Sequence, residues 1–178
     1  MTKMFLAVIT VFVFISGVLA ADDRVNPAFG GKDNQISLHF GQSLRDSLEN
    51  LFMVEARYSQ PNEFFRIHGR RNMEFITARG ASELARYNQN LIFGLSQDAL
   101  TRLFHDSVYG GINLGIYIKS HVTDRISSRF TFGQRVFLAY KFSDFIAIEA
   151  FGRHFSNGTL TAQNSGQNFV GFTVIYNF

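Results

Sequence analysis

Beyond residue 20, apolar residues in this sequence recur at every second position over stretches of about ten residues. Nowhere do they form the run of about 18 that a membrane-crossing helix needs. Alternation with a period of two marks a strand whose two faces meet different surroundings. It is plainest in Val108–Lys119, where Ile112, Leu114, Ile116 and Ile118 fall on one side and Asn113, Gly115, Tyr117 and Lys119 on the other. By the same rule Gln35–Ser43, Leu51–Ser59, Asn88–Ser96, Arg129–Phe142, Phe145–Ser156 and Gln167–Phe178 read as strands. Glu63–Arg79 reads as one long strand or two, because Arg71 interrupts its apolar row. Pro61-Asn62 is expected to turn the chain after the second strand, and Ser143-Asp144 after the sixth. Asp98–Ser107, with Ala99, Leu100, Leu103 and Phe104, is expected to be a connector with about one helical turn. The sum is an all-β chain of about eight antiparallel strands closed into a barrel.

Alternation alone does not say which face is inside. A soluble exported barrel would keep its apolar face around an internal ligand, and a membrane barrel turns that face to lipid. Three features favour an eight-stranded antiparallel transmembrane β-barrel. The strands reach the roughly 9–11 residues that a tilted crossing requires. Charges lie within strands, as with Glu55, Arg57, Glu74 and Arg135. Small residues (Gly41, Gly94, Gly115) share the charged face, as a narrow lumen needs. Residues 1–20, MTKMFLAVITVFVFISGVLA, read as a secretory signal peptide: Lys3, an apolar stretch, then small residues at Val18 and Ala20. Residues 21–178 are then an outer-membrane β-barrel domain, the only spanning design besides helices. The sequence has no cysteine, which excludes a disulfide framework and thiolate metal sites. The net charge of +3 comes without a basic run, so nucleic acid is not an expected partner. His39, His68, His105 and His121 lack metal-ligand spacing, and neither a metal nor a cofactor is expected.

Eight strands put both chain ends on one side. The segments 44–50, 80–87, 119–127 and 157–166 then share the other side and, as the longer loops, the exterior. Parity along the seventh strand places Glu149 and Arg153 in the lumen, since either would be costly against lipid. His154 and Ser156 must therefore point outward at the exterior rim, with Asn168 of the last strand on the same outer wall. A histidine can take a serine proton and so produce a nucleophile. Asn157 and loop amides could donate to an oxyanion. A substrate reaching such a site lies in the outer leaflet, which suggests a lipid ester. A small barrel with a structural or adhesive role and no activity is the alternative. Lys119, Arg125, Arg45, Arg79 and Arg86 lie near this rim, as ordinary solvated charges or as contacts for lipid phosphates.

The run His154-Phe155-Ser156-Asn157, then Asn164-Ser165-Gly166 and a closing strand ending Tyr176-Asn177-Phe178, resembles the lipid A 3-O-deacylase family of outer-membrane barrels. Phe132-Gly133-Gln134-Arg135 resembles the same family's sixth strand, and the likeness is good over about residues 108–178. The resemblance implies hydrolysis of the ester-linked 3-position acyl chain of lipid A, in lipopolysaccharide of the bacterial outer membrane. It implies Ser156 as nucleophile, His154 as general base, and Asn157, Asn164 and Gly166 around the oxyanion and substrate. The family's third member is a glutamate fourteen residues after the histidine, and this sequence has Asn168 there.

Overall fold

Every strand pairs antiparallel with its neighbour in sequence, and the first closes on the last. The computed structural model describes residues 34–44, 50–64, 67–80, 83, 89–103 and 106–178. Its strands are β1 (Gln35–Ser43), β2 (Phe52–Phe64), β3 (Ile67–Arg79), β4 (Asn90–Arg102), β5 (Val108–Lys119), β6 (Phe130–Lys141), β7 (Ile146–Ser156) and β8 (Gln167–Asn177). The expected signal peptide and the side chains of Arg45, Arg86 and His105 lie outside the described residues.

The two faces of the strands settle the inside-out question. Leu38, Phe75, Ile116 and Val136 are about half exposed on the outer wall, at 47%, 54%, 50% and 59%. The interior holds the charge. Arg57 and Arg153 each bridge Glu55 and Glu74, at 2.7–3.1 Å. Arg70 joins Asp98 at 2.7 Å to Glu149 at 3.0 Å, and Arg135 adds a 2.9 Å contact to Glu149. These groups are all but fully buried, and His39 lies among them. A soluble barrel would reverse this arrangement, so the apolar face is the lipid-contacting wall. A lumen filled this way is a packed core and not a pore.

Three glycines on adjacent strands make the lumen fit. A side chain at Gly94, Gly115 or Gly133 would run into the ring of Tyr117. With none there, the ring lies against the wall and its hydroxyl donates to Glu74 at 2.9 Å.

The structure corrects two expected turns. Pro61-Asn62 does not end β2: Pro61 registers with Arg70 and Asn62 with Gly69, and the strand runs on to Phe64. Gln35 of β1 registers opposite Ser59, so Pro61 lies past that pairing, where a residue without an N–H is tolerated. Asp98–Arg102 is not part of a helical connector either. β4 continues to Arg102, with Asp98 opposite Asn113 and Arg102 opposite Tyr109. The strand persists because Asp98 is drawn into the lumen by Arg70 and by Asn113, which donates at 2.6 Å. The β4–β5 link shrinks to residues 103–107, and the β6–β7 link, residues 142–145, is shorter still. Short turns now occupy one end and the longer segments before β4, β6 and β8 the other, the exterior end of an outer-membrane barrel. β3 is one strand, with Arg71 outward and exposed.

Removing one partner from this network leaves buried charges unpaired, at a cost of roughly 3–5 kcal/mol. Glu74→Ala is expected to lower stability by about that amount in urea unfolding from lipid vesicles. A loss below about 1 kcal/mol would show that the network is not what holds the lumen together.

Candidate functional site

On β7 the lumen takes Ala147, Glu149, Phe151, Arg153 and Phe155, which are buried. The opposite parity sends Ile146, Ile148, Ala150, Gly152 and His154 to the outer wall. Ser156 continues that row but is only 7% exposed, at the end of the strand where the next loop begins. Gly158 and Thr159 turn the chain there with positive φ angles of 61° and 69°. Gly158 has no side chain, which leaves room for the ring of Phe132, the residue opposite Ser156 on β6.

The loop is tied from within by its asparagines. Asn157 is fully buried, and its N–H donates to Asn164 Oδ1 at 3.0 Å. Its side-chain amide donates to Thr161 Oγ1 at 2.5 Å and to the Gln163 carbonyl at 3.1 Å. Its Oδ1 accepts the Thr159 N–H at 2.9 Å. Both donors of Asn157 are thus engaged inside the loop. The loop between β5 and β6 docks alongside. Ile126 bridges Asn164, Ser165 N–H donates to the Arg125 carbonyl at 2.8 Å, and Ser127 N–H donates to the Gln163 carbonyl at 3.2 Å. Lys119 turns inward, with its Nζ donating to the Ile126 carbonyl at 3.1 Å, so it is not a free rim cation.

His154 registers opposite Asn168 of β8, and the two side chains meet at 2.7 Å from Nδ1 to Oδ1. An amide oxygen at Nδ1 accepts its proton and leaves the lone pair on Nε2. Ser156 stands two residues along the same strand, about 7 Å of rise away. Its Oγ makes no hydrogen bond to the described residues, while its carbonyl accepts from Thr131 Oγ1 at 2.7 Å. Gly166 completes the enclosure. It has a φ of 67°, and a Cβ there would come 2.6 Å from His154 Cε1. The imidazole therefore packs over a position that only glycine fills without strain.

His154, Ser156, Asn168, Asn157, Asn164 and Gly166 all belong to this one corner of the barrel. Neither His39 nor His121 approaches it: His39 is in the lumen with Thr173, and His121 pairs with Ser120. No group of three His, Asp or Glu capable of holding a metal occurs among the described residues.

One polar neighbour was read in the sequence only as part of the sixth-strand pattern, and not as part of the site. Gln134 on β6 registers directly opposite His154 and faces outward between Phe132 and Val136. Its signal was a gap in an otherwise apolar row. An open groove of about 540 Å³ begins at Phe132 and Gln134 and crosses β5 and β4 past Leu114, Ile116, Leu95 and Gln97.

The sequence pattern of the family described as lipid A 3-O-deacylase (PagL) matches residues 52–177. Among solved structures, the outer membrane enzyme PagL superposes with a TM-score of 0.64 at 16% identity, covering 79% of this chain and 97% of that one. Neisserial surface protein A gives 0.51 at 14% identity, covering 82% and 96%. The outer membrane protein Ail of Yersinia pestis gives 0.50 at 16%, covering 83% and 100%. No curated protein sequence matches the chain. The fold is that of outer-membrane eight-stranded barrels.

Gly166→Ala is expected to push the imidazole off Asn168. Nitrogen-15 spectra of the His154 ring in micelles would lose the hydrogen-bonded Nδ1–H signal, while Asn164→Ala would first loosen the loop. An unchanged ring spectrum in Gly166→Ala would contradict the packing described.

Proposed function

Since the chain belongs to the lipid A 3-O-deacylase family, we propose that it cleaves the 3-position ester with Ser156 as nucleophile, His154 as base and Asn168 as the residue that orients the imidazole. The observation that carries this is the 2.7 Å bond from His154 Nδ1 to Asn168 Oδ1 on the lipid-facing wall. It leaves Nε2 free to take the Ser156 proton as Oγ attacks the ester carbonyl. The protonated Nε2 then gives that proton to the departing sugar hydroxyl, and the acyl chain stays on Ser156. Water, deprotonated in turn by Nε2, releases the fatty acid.

The turn after Ser156 supplies the oxyanion's donors. Asn157 N–H, held by Asn164 Oδ1 in the free protein, is shared with the oxyanion when substrate enters. Asn164 and Gly166 keep that turn and the imidazole in place. The substrate is lipid A in the outer leaflet, reached sideways from the bilayer, and no metal or cofactor enters any step. We assign export of the chain to residues 1–20.

An amide fixes the tautomer but contributes no charge to the imidazolium. In serine proteases a comparable acid-to-amide change costs about 10⁴ in rate, chiefly through the wrong tautomer. Here the oxygen of Asn168 faces Nδ1, which supports the correct tautomer and a smaller deficit.

Mass spectrometry of lipid A from cells carrying the wild type, Ser156→Ala and Asn168→Glu tests the proposal. The wild type is expected to remove one acyl chain, Ser156→Ala none, and Asn168→Glu to work about tenfold or more faster. Unchanged lipid A with both the wild type and Asn168→Glu would favour a barrel with a structural or adhesive role instead.

A further inference from the structure

The register that brings His154 to Asn168 also continues the other way. Opposite His154 is Gln134, opposite Gln134 is Leu114, and opposite Leu114 is Gln97. This row slants across the outer wall from the exterior rim into the lipid-facing band. A polar side chain there without a partner is costly, because lipid offers no hydrogen bonds. Gln97 avoids that cost. Its amide exchanges two 2.8 Å hydrogen bonds with the amide of Asn62 on β2, reaching over Gly69, where a side chain would collide with it. Gln134 has no such arrangement: its amide makes no hydrogen bond to the described residues.

Gln134 also stands at a junction. Directly opposite residues in a sheet have Cβ atoms roughly 5 Å apart and diagonal ones roughly 7–8 Å apart, within reach of a long side chain. Gln134 is directly opposite His154 and diagonal to Ser156, whose own opposite is Phe132. The groove starts at these same two residues, Phe132 and Gln134, and leads away from the loops. An ester whose carbonyl rests at Ser156 and whose sugar lies toward the loops sends its acyl chain this way, past Gln134 and over Leu114 and Ile116. An unsubstituted alkyl chain would leave the amide unsatisfied. An oxygen on the chain close to the carbonyl would satisfy it.

We infer that Gln134 is a specificity-determining residue. Its side-chain amide hydrogen-bonds a hydroxyl on the acyl chain near the scissile ester, so that the site prefers hydroxyacyl over plain acyl esters. This rests on the ester hydrolysis proposed above and adds to it the part of the substrate that is read. The acyl chain lies across β6, β5 and β4, away from the β8–β1 side of the wall.

The test uses the full-length barrel in detergent micelles and two synthetic glucosamine lipids. They carry, at the 3-position, either a 3-hydroxyacyl chain or the unsubstituted chain of the same length. One hydrogen bond gained or lost corresponds to about tenfold, so the wild type is expected to favour the hydroxyacyl ester by about that ratio. Gln134→Met keeps the side-chain length and suits the lipid-facing wall. It is expected to bring the ratio close to one, mainly by slowing the hydroxyacyl ester, with the folded band on an unheated gel unchanged. A ratio in Gln134→Met equal to the wild type's would overturn the assignment and leave the esterase standing. A fall of a hundredfold on both esters would also overturn it, since the amide would then serve a step common to both. No hydrolysis of either ester by the wild type would overturn the esterase proposal itself, and this inference with it.

Discussion

The Arg–carboxylate network inside the barrel sets the orientation of everything else. Glu55, Glu74, Asp98 and Glu149 come from β2, β3, β4 and β7, and the arginines between them from β2, β3, β6 and β7. In water a buried pair of this kind gains little over an apolar substitute. In a bilayer the alternative is charge against lipid, which is far worse. A strand cannot slip by one residue without exchanging its two faces. Holding Glu149 and Arg153 inside therefore forces His154 outward. The chemistry proposed for the outer wall follows from the packing of the lumen.

Much of this was legible in the sequence, because charge and apolarity alternate cleanly where both faces are constrained. Val108–Lys119 is a strand with the expected limits, and the faces of β7 and β8 are as parity requires. Legibility failed toward the turn end of β2 and β4. There the outer wall carries Asn62 and Gln97 in place of apolar residues, and the pattern looks like a loop. The amides satisfy each other across β3, a long-range pairing that local reading does not see. Asp98 was misread for the same kind of reason: its partners, Arg70 and Asn113, are 28 and 15 residues away. At the site, residue types and faces could be read, but the mutual docking of the two loops could not. It depends on backbone bonds from Ser127 and Ser165, which no side-chain pattern encodes.

In the proposed mechanism Asn168 gives this family member its particular character. The geometry expected of an acid is present, a 2.7 Å contact to Nδ1, without the charge. Orientation of the imidazole and stabilisation of the imidazolium are separable contributions, and an amide supplies the first. The surroundings support orientation strongly. Gly166 leaves room for the ring, and the loop that follows Ser156 is tied from within by its asparagines. Gln134 on the other flank extends the polar surface toward the groove.

The central claim is that Ser156 is an activated nucleophile that meets its substrate from the membrane. Covalent trapping tests it most directly. The purified barrel in micelles is treated with a long-chain alkyl fluorophosphonate, and the modified peptide is located by mass spectrometry. The account predicts a single adduct on Ser156 that forms at least about a hundredfold more slowly in His154→Ala, the scale of a lost general base. No adduct on Ser156, or labelling equally fast without the histidine, would contradict it.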